Sequence, residues 1–171
     1  MKIIQSVKVK PKTKIRIRKI EKPKVPVFVK NPVVKLKRAK VPKGINLDLL
    51  RSRAISAMAL ARPRRSGLLV GCAVIDDKNN IFTGANIEIL WQRSFHAEET
   101  AITGALVHDC GKIRAICIAA ERSLFTPCGA CMDLILEFSI PDAVIVHINP
   151  KTRKTTIIPL SAMMPFYPTR V

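Results

Sequence analysis

Two short motifs carry side chains that suit metal chemistry. The first is His96-Ala97-Glu98, and the second is Pro127-Cys128-Gly129-Ala130-Cys131. Because Cys128 and Cys131 are three residues apart, one helical turn would place both sulfurs on one face. A helix N-terminus favours thiolates through its dipole and its free N–H groups. With a nitrogen ligand from His96, the set gives zinc three protein ligands and one open tetrahedral position, which is the pattern of a catalytic site.

Glu98 lies two residues after His96, where a carboxylate could move protons. Zinc lowers the pKa of bound water towards about 7, and a nearby carboxylate can take a proton and pass it on. Hydrolytic deamination at C4 of a cytosine ring needs these steps. A Cys-x-x-Cys pair alone would also fit a structural zinc knuckle or a redox pair. The order His-x-Glu and then Pro-Cys-x-x-Cys is the signature of zinc deaminases, so we predict a zinc-dependent hydrolytic deaminase with Glu98 as catalytic residue.

The elements that must position these motifs follow from hydrophobic periodicity. Apolar residues from Leu47 to Ala61 recur at helical spacing, with Asn46 as an N-cap and Pro63 as a stop. Apolar runs at 68–75 and 81–89 flank a turn at 76–80 and predict a β-hairpin. We further expect helices over 95–108 and 128–138, strands over 113–120, 144–148 and 155–160, and a short C-terminal helix. This alternation predicts a mixed sheet covered on both faces.

Residues 45–170 resemble the small cytidine deaminases. Besides the metal motifs, Asn86-Ile87-Glu88 is similar to that family's Asn-x-Glu, and Val70-Gly71-Cys72-Ala73 is similar to its strand beside the base. The segment 160–166 resembles its C-terminal Leu-Leu-Pro-x-x-Phe. The resemblance implies an α/β fold, namely a three-layer α/β/α cytidine deaminase-like fold with a mixed five-stranded sheet. It also implies zinc as the cofactor and a homotetramer or homodimer.

The resemblance further implies the substrate-binding residues. Asn86 and Glu88 would hydrogen-bond the ribose hydroxyls of a free nucleoside, and Phe166 would reach towards a neighbouring subunit's site. Leu68 stands where the family usually has an aromatic residue that stacks on the pyrimidine. Ala97, at the centre of the first motif, completes the expected substrate-binding set.

Two features of the metal motifs depart from the family pattern. His96 replaces the cysteine ligand that is common among tetrameric members, although larger dimeric relatives also use histidine. Glu98-Glu99 replaces the family's Glu-Arg, so this chain lacks the positive charge that partly offsets the negative charge of the thiolate ligands elsewhere in the family.

Charge divides the chain unevenly. Residues 1–43 hold 16 Lys or Arg and one acidic residue, a net charge of +15, whereas the remainder carries +3 of the total of +18. Five prolines in this segment forbid a long helix, so we expect an extended basic tail at 1–43 and a catalytic domain at 44–171. Three interpretations of the tail stay open: it binds nucleic acid, it binds an acidic partner, or it wraps a neighbouring subunit. The residues assigned to nucleic-acid contact are Lys14, Arg16, Arg18, Lys19, Lys35, Lys37 and Arg38.

Two classes of function remain. The first is an enzyme of pyrimidine salvage that converts free cytidine or deoxycytidine to uridine or deoxyuridine, and Asn86 and Glu88 favour it. The second is an RNA-directed C-to-U deaminase, or an RNA- or ribosome-associated protein with this fold, and the tail and Leu68 favour it. With no apolar run of membrane-spanning length and no signal-peptide pattern, we expect a cytoplasmic protein without a membrane partner. An odd count of five cysteines argues against a disulfide framework.

Overall fold

The computed structural model describes residues 39–90 and 93–164, which form alternating helices and strands. Within these ranges, no helix combines the length and the hydropathy that crossing a membrane requires. In chain order the elements are α1 (Leu47–Met58), β1 (Val70–Asp76), β2 (Ile81–Ala85), β3 (Ile87–Glu88), β4 (Ser94–Phe95), α2 (Ala97–Val107), β5 (Ile113–Ala120), α3 (Gly129–Phe138), β6 (Ser139–Ile148) and β7 (Thr155–Pro159), followed by a 3-10 turn at Leu160–Ala162.

Five of the strands form one mixed sheet in the order β2-β1-β5-β6-β7. The β5–β6 pair is parallel and the other three pairs are antiparallel. Helix α3 connects the two parallel strands, because a parallel pair requires a crossover of this kind. Strands β3 and β4 form a separate ribbon in which Glu88 lies opposite Ser94. The predicted mixed five-stranded sheet and the predicted β1–β2 hairpin are both confirmed.

Helices cover both faces of the sheet. Successive side chains of a strand point to opposite faces, and β1 divides accordingly. Val70, Cys72 and Val74 join the core cluster that contains α2 and α3. Ala73 and Ile75 join the cluster that contains α1. The fold is therefore the three-layer α/β/α arrangement predicted from the sequence.

Helix α1 begins as predicted and ends earlier than its apolar pattern. The Asn46 side chain accepts a hydrogen bond from the backbone N–H of Leu49 at 3.0 Å, which makes it the N-cap. The helix ends at Met58, after which the N–H groups of Ala59 and Leu60 bond to carbonyls three residues back. Apolar residues continue through this turn, so the periodicity overstated the length of the helix.

Two predicted strands differ from the structure. The apolar run 81–89 is not one strand: β2 ends at Ala85, and the side chain of Asn86 then bonds to the backbone of Leu68 and Val70. The chain leaves the large sheet there and pairs in the small ribbon instead. Strand β6 starts at Ser139, directly after α3 and five residues before the predicted start. Exposed residues at the beginning of β6 hid this extension.

Both chain ends lie partly outside the described residues, so the predicted domain boundary at 43/44 stays a prediction. Within the predicted tail, Ala39 packs against the cluster around α1, and the carbonyl of Lys43 accepts a hydrogen bond from the Arg114 guanidinium. The C-terminal segment is described to residue 164 and contains the 3-10 turn, and Phe166 lies outside the described residues. The seven assigned tail residues also lie outside them.

Candidate metal centre and substrate cavity

Each of the two predicted motifs starts a helix. His96 is the N-cap of α2, with φ −78° and ψ 156°, and Cys128 is the N-cap of α3, with φ −74° and ψ 171°. Both residues keep an extended backbone, as N-caps do. The sequence predicted that each motif opens a helix, and the structure places the first ligand of each motif at the N-cap. Cys131 lies one turn inside α3, where its side chain is buried.

The three predicted ligand atoms lie together. The Sγ atoms of Cys128 and Cys131 are each 3.3 Å from Nδ1 of His96, and the ligand atoms all lie within 4.8 Å of one another. Zinc ligands at about 2.0–2.3 Å from the ion lie about 3.5–4 Å apart in a tetrahedral site. The cluster therefore has the size and the donor types of a zinc site.

The electrostatics of Cys131 also favour a cation at this place. Burial raises the pKa of the Cys131 thiol far above its ordinary value, and the Glu98 carboxylate and Cys128 raise it further. A metal ion removes this penalty, because a coordinating thiol is deprotonated outright. The donor set thus fits zinc.

Glu99 helps to hold the first ligand. Its carboxylate accepts a hydrogen bond from the backbone N–H of His96 at 3.4 Å, as in a capping box. The Arg93 guanidinium lies 3.1 Å from the same carboxylate and also stacks on Phe95, 4.6 Å from the ring centroid. Glu99 stands where the family pattern has an arginine, so this position carries no positive charge. Arg93 instead supplies a positive charge to the Glu99 carboxylate.

Glu98 is buried beside the cluster, with 2% of its surface exposed. Burial raises the pKa of its carboxyl group, and its own backbone N–H and the nearby His96 act in the opposite direction. A raised pKa makes the protonated form of this carboxyl group easier to reach, which suits general acid–base chemistry.

A cavity of about 180 Å³ opens next to the cluster. It brings together every predicted site residue that lies within the described ranges except Cys131, whose sulfur belongs to the metal cluster. The predicted residues in its wall are Leu68, Asn86, Glu88, His96, Ala97, Glu98 and Cys128. The geometry therefore joins the metal motifs and the expected substrate residues in one site.

Asn86 and Glu88 have protein partners as well as a place in the cavity wall. Asn86 accepts a hydrogen bond from the N–H of Val70 and donates one to the carbonyl of Leu68, both at 2.9 Å. Oε2 of Glu88 accepts from the backbone N–H groups of Arg65 at 2.5 Å and Ser66 at 2.9 Å. Hydrogen bonds from the Ser66 side chain and from these N–H groups lower the pKa of Glu88. An amide and a carboxylate each keep further hydrogen-bonding capacity after such contacts.

Sequence reasoning missed several residues of the cavity wall. Phe125 is the most informative, because it brings an aromatic ring to a cavity in which Leu68 replaces the expected one. Both side chains also pack against the core cluster that contains α2 and α3. The position of Phe125, three residues before the first cysteine ligand, was a signal that could have found it. The other missed residues are Ser66, Ser94, Phe95 and Thr126, whereas Val70 belongs to the strand that the family resemblance placed beside the base.

Comparison with known proteins places the chain among deaminases. The family described as "Cytidine and deoxycytidylate deaminase zinc-binding region" matches residues 46–147, which include both metal motifs. A cytidine deaminase of Mycobacterium tuberculosis (strain H37Rv) is 30% identical over 111 residues, which cover 63% of this chain and 83% of that protein. A cytidine deaminase of Shewanella pealeana is 32% identical over 122 residues, which cover 70% of this chain and 38% of that longer protein.

A solved structure shares the fold. The crystal structure of cytidine deaminase from Burkholderia pseudomallei aligns with a TM-score of 0.65 at 23% identity, over 71% of this chain and 98% of that one. Both proteins therefore have the same three-layer architecture.

Proposed function

The chain belongs to the family of cytidine and deoxycytidylate deaminases, and from this premise we propose that it converts cytidine or deoxycytidine to uridine or deoxyuridine by zinc-dependent hydrolysis. One observation carries the proposal. A buried carboxyl group, Glu98, shares a cavity with a cluster of one imidazole and two thiols. This pairing of a proton carrier with three zinc-type ligands is what hydrolytic deamination needs.

His96, Cys128 and Cys131 would hold the zinc ion. Zinc, when bound, supplies Lewis acidity that makes water nucleophilic near neutral pH. The chain contributes the sulfur of Cys128 from the N-cap of α3 and the sulfur of Cys131 from its first turn, where the helix dipole favours the negative charge of a metal ligand. Glu99 contributes by holding the backbone of His96.

Glu98 would move two protons during the reaction. It accepts a proton from the attacking water, whose oxygen forms a bond to C4, and delivers that proton to N3 of the ring. It then takes the remaining hydroxyl proton and gives it to the amino group. The C4–N bond breaks, ammonia leaves and the carbonyl of uracil forms. Burial suits this role, because it raises the pKa of the carboxyl group above its ordinary value and so makes the protonated form easier to reach.

The cavity wall would bind the nucleoside. Leu68 and Phe125 provide apolar surface for the pyrimidine ring, and Ala97 lies fully buried next to Glu98. Asn86 and Glu88 would use their remaining hydrogen-bonding capacity for the ribose hydroxyls. Phe166 would come from a neighbouring subunit of a homotetramer or homodimer, and the activity would serve pyrimidine salvage in the cytoplasm.

A direct assay tests the proposal. Zinc-loaded, full-length protein should consume cytidine and produce uridine and ammonia in equal amounts. Glu98→Gln should keep its zinc but lose activity by about 10²-fold or more, because an amide cannot carry a proton. Asp142→Asn removes an exposed carboxylate on β6 outside the cavity, so this control should retain activity. Normal turnover by Glu98→Gln would contradict the mechanism.

The basic tail supports a second hypothesis, in which the substrate is cytosine within RNA. Its net charge of +15 in residues 1–43 favours binding to phosphates. Replacing Lys14, Arg16, Arg18 and Lys19 together by glutamine would then reduce the slope of log affinity against log salt by up to about 3 for single-stranded RNA. Conversion of cytosine within RNA, with cytidine left untouched, would favour this hypothesis over the nucleoside enzyme.

A further inference from the structure

A second cavity lies on the layer of the fold that does not hold the metal cluster. Its volume is about 460 Å³, and its walls come from helix α1 and from the end of β6 with the turn that follows it. Helix α1 contributes Arg51, Ser52 and Ser56, and the turn contributes Arg153. Ile148, also in the wall, belongs to the core cluster around α1 and not to the cluster around α2 and α3. This α1 cleft is therefore separate from the substrate cavity.

Two arginines from different elements bring positive charge to the α1 cleft. The partly buried Arg51 donates to Oγ1 of Thr155 at 3.1 Å and to the Asp48 carboxylate. These contacts fix the guanidinium and leave some of its five N–H donors for a ligand. Asp48 is the one carboxylate in the described wall, and Arg51 offsets its charge. Arg153 forms no ion pair with any described residue, so the wall keeps a net positive charge.

The turn that carries Arg153 is fixed by Asn149. The Asn149 side chain accepts hydrogen bonds from the backbone N–H groups of Lys151 at 2.9 Å and Thr152 at 3.0 Å. Its backbone carbonyl accepts from Arg153 at 2.8 Å, and its N–H donates to Lys154 at 3.0 Å. Arg153 has φ of 60°, a left-handed conformation that is uncommon for residues other than glycine. The turn therefore presents three basic side chains from a fixed backbone, which lowers the entropic cost of binding.

The charges around the α1 cleft favour a polyanion. Four basic residues belong to its wall or to the adjoining turn, against the single carboxylate of Asp48. Guanidinium groups bind phosphate in a bidentate, charge-assisted manner, and a row of basic groups suits repeated phosphates. Ala39, the first described residue, also packs on the α1 side of the sheet. The segment that carries a net charge of +15 is thus joined to the chain on the same side as the cleft.

The other side chains of the wall indicate which polyanion fits. Ser52 and Ser56 are exposed and four residues apart, so their hydroxyls lie on one face of α1 beside Arg51. A hydroxyl both donates and accepts, as the 2′-hydroxyl that distinguishes RNA from DNA does. No aromatic side chain of the described residues lines the cleft, so it offers no platform for stacked single-stranded bases. The same lack argues against a protein partner, because aromatic anchors dominate protein interfaces.

We propose that the α1 cleft and the adjoining turn form a docking surface for the backbone of double-helical RNA. Arg51 and Arg153 would contact phosphates, and Ser52 and Ser56 would contact 2′-hydroxyls. Double-helical RNA is recognised mainly through these two groups, with little dependence on sequence. Because the metal cluster lies on the other side of the sheet, docked RNA would leave the substrate cavity open. RNA would then be a partner of the protein and not its substrate, whether or not the proposed reaction is correct.

The first test measures binding of a duplex of about 16 base pairs to zinc-loaded, full-length protein by fluorescence anisotropy. Arg153→Asn keeps the turn, because asparagine adopts a positive φ readily. At about 0.15 M salt its affinity for duplex RNA should fall about two- to fivefold. The slope of log affinity against log salt should decrease by about 1. Arg64→Asn removes the same charge from the exposed loop beside the substrate cavity, so both quantities should stay at the wild-type values.

A second variant tests the choice of RNA. Ser52→Ala combined with Ser56→Ala should reduce the preference for duplex RNA over duplex DNA of the same sequence and leave the salt slope unchanged. Bound RNA should also protect Lys151 and Lys154 from acetylation. Lys112 is the control for protection, because it is exposed and its amino group lies at the carbonyl of Glu137 near the end of α3.

Four results would overturn the inference. Equal losses of affinity in Arg153→Asn and Arg64→Asn would mean that charge alone, wherever it lies, attracts RNA. Equally tight binding of duplex DNA would remove the role of the 2′-hydroxyls. Displacement of RNA by polyglutamate of equal charge would favour an acidic protein partner. Competition between duplex RNA and cytidine for the zinc-loaded Glu98→Gln protein would place the RNA at the substrate cavity.

Discussion

Replacing Asn86 by alanine should destabilise the fold as well as weaken substrate binding. The change removes the acceptor of the buried Val70 N–H and the donor to the carbonyl of Leu68, two bonds of 2.9 Å that join the end of β2 to β1. An unsatisfied buried donor costs about 1–3 kcal/mol and a lost ordinary hydrogen bond about 0.5–1.5 kcal/mol. The free energy of unfolding should therefore fall by about 2–4 kcal/mol. In a chain of this size that corresponds to a decrease of about 4–16 °C in Tm.

Thermal unfolding of the zinc-loaded protein, followed by circular dichroism, measures this effect. Glu88→Gln is the matched comparison, because an amide oxygen can still accept the N–H bonds of Arg65 and Ser66. This variant should keep a Tm close to that of the wild type while KM for the substrate rises. If Asn86→Ala unfolds within about 2 °C of the wild type, the two bonds contribute little and the reasoning is wrong. Asn86 would then act on the substrate alone.

Three further changes test other parts of the site and the core. Cys128→Ala should lose the bound zinc in metal analysis and lower the Tm, since metal binding and folding are coupled; full retention of zinc would remove this ligand from the site. Phe125→Leu keeps apolar volume but loses aromatic stacking, so KM should rise about two- to tenfold with little change in kcat, and an unchanged KM would contradict contact with the base. Burial lowers the pKa of the His147 imidazole in the folded protein. The buried neutral imidazole therefore stabilises the fold fully above a pH of about 6.5, and this stabilisation is lost as the pH falls through the folded-state pKa. Below a pH of about 6.5, the Tm of the wild type should therefore fall more steeply than the Tm of His147→Gln. Identical plots of Tm against pH for the two proteins would contradict a lowered pKa for His147.

Local patterns predicted much of the fold because they reflect burial directly. Strand β1 is buried along its whole length, which produces a continuous apolar run, and β5 was predicted with its observed bounds for the same reason. The N-cap of α1 was visible because Asn46 precedes the first apolar residue of the helix. The metal motifs were recognisable because helical spacing and ligand type together leave few alternatives.

The remaining features depend on contacts between residues that are distant in the sequence. Asn86 follows the end of β2 and bonds to backbone atoms of Val70 and Leu68, 16 and 18 residues earlier, and a polar residue in an apolar run gives no local sign of these bonds. The attachment of Arg65 to Glu88 and Ser94 spans 23 and 29 residues. Phe125 reaches the cavity because of the path of the segment that leads into α3. The interruption at Asn86 and the attachment of Arg65 follow from tertiary packing, so short segments of sequence could not predict them. For Phe125, only its place three residues before Cys128 was visible in the sequence.

The metal cluster joins the starts of α2 and α3, so a bound ion would also affect how these two helices and β5 fold. His96 and Cys128 are 32 positions apart, and the chain between them contains β5, the middle strand of the sheet. An ion held by both residues acts as a cross-link that restricts the unfolded chain, and closing a loop of this length is worth about 3–4 kcal/mol in loop-closure entropy. The same ion that takes part in the reaction would thus bind the central strand and its two flanking helices into one cooperative unit.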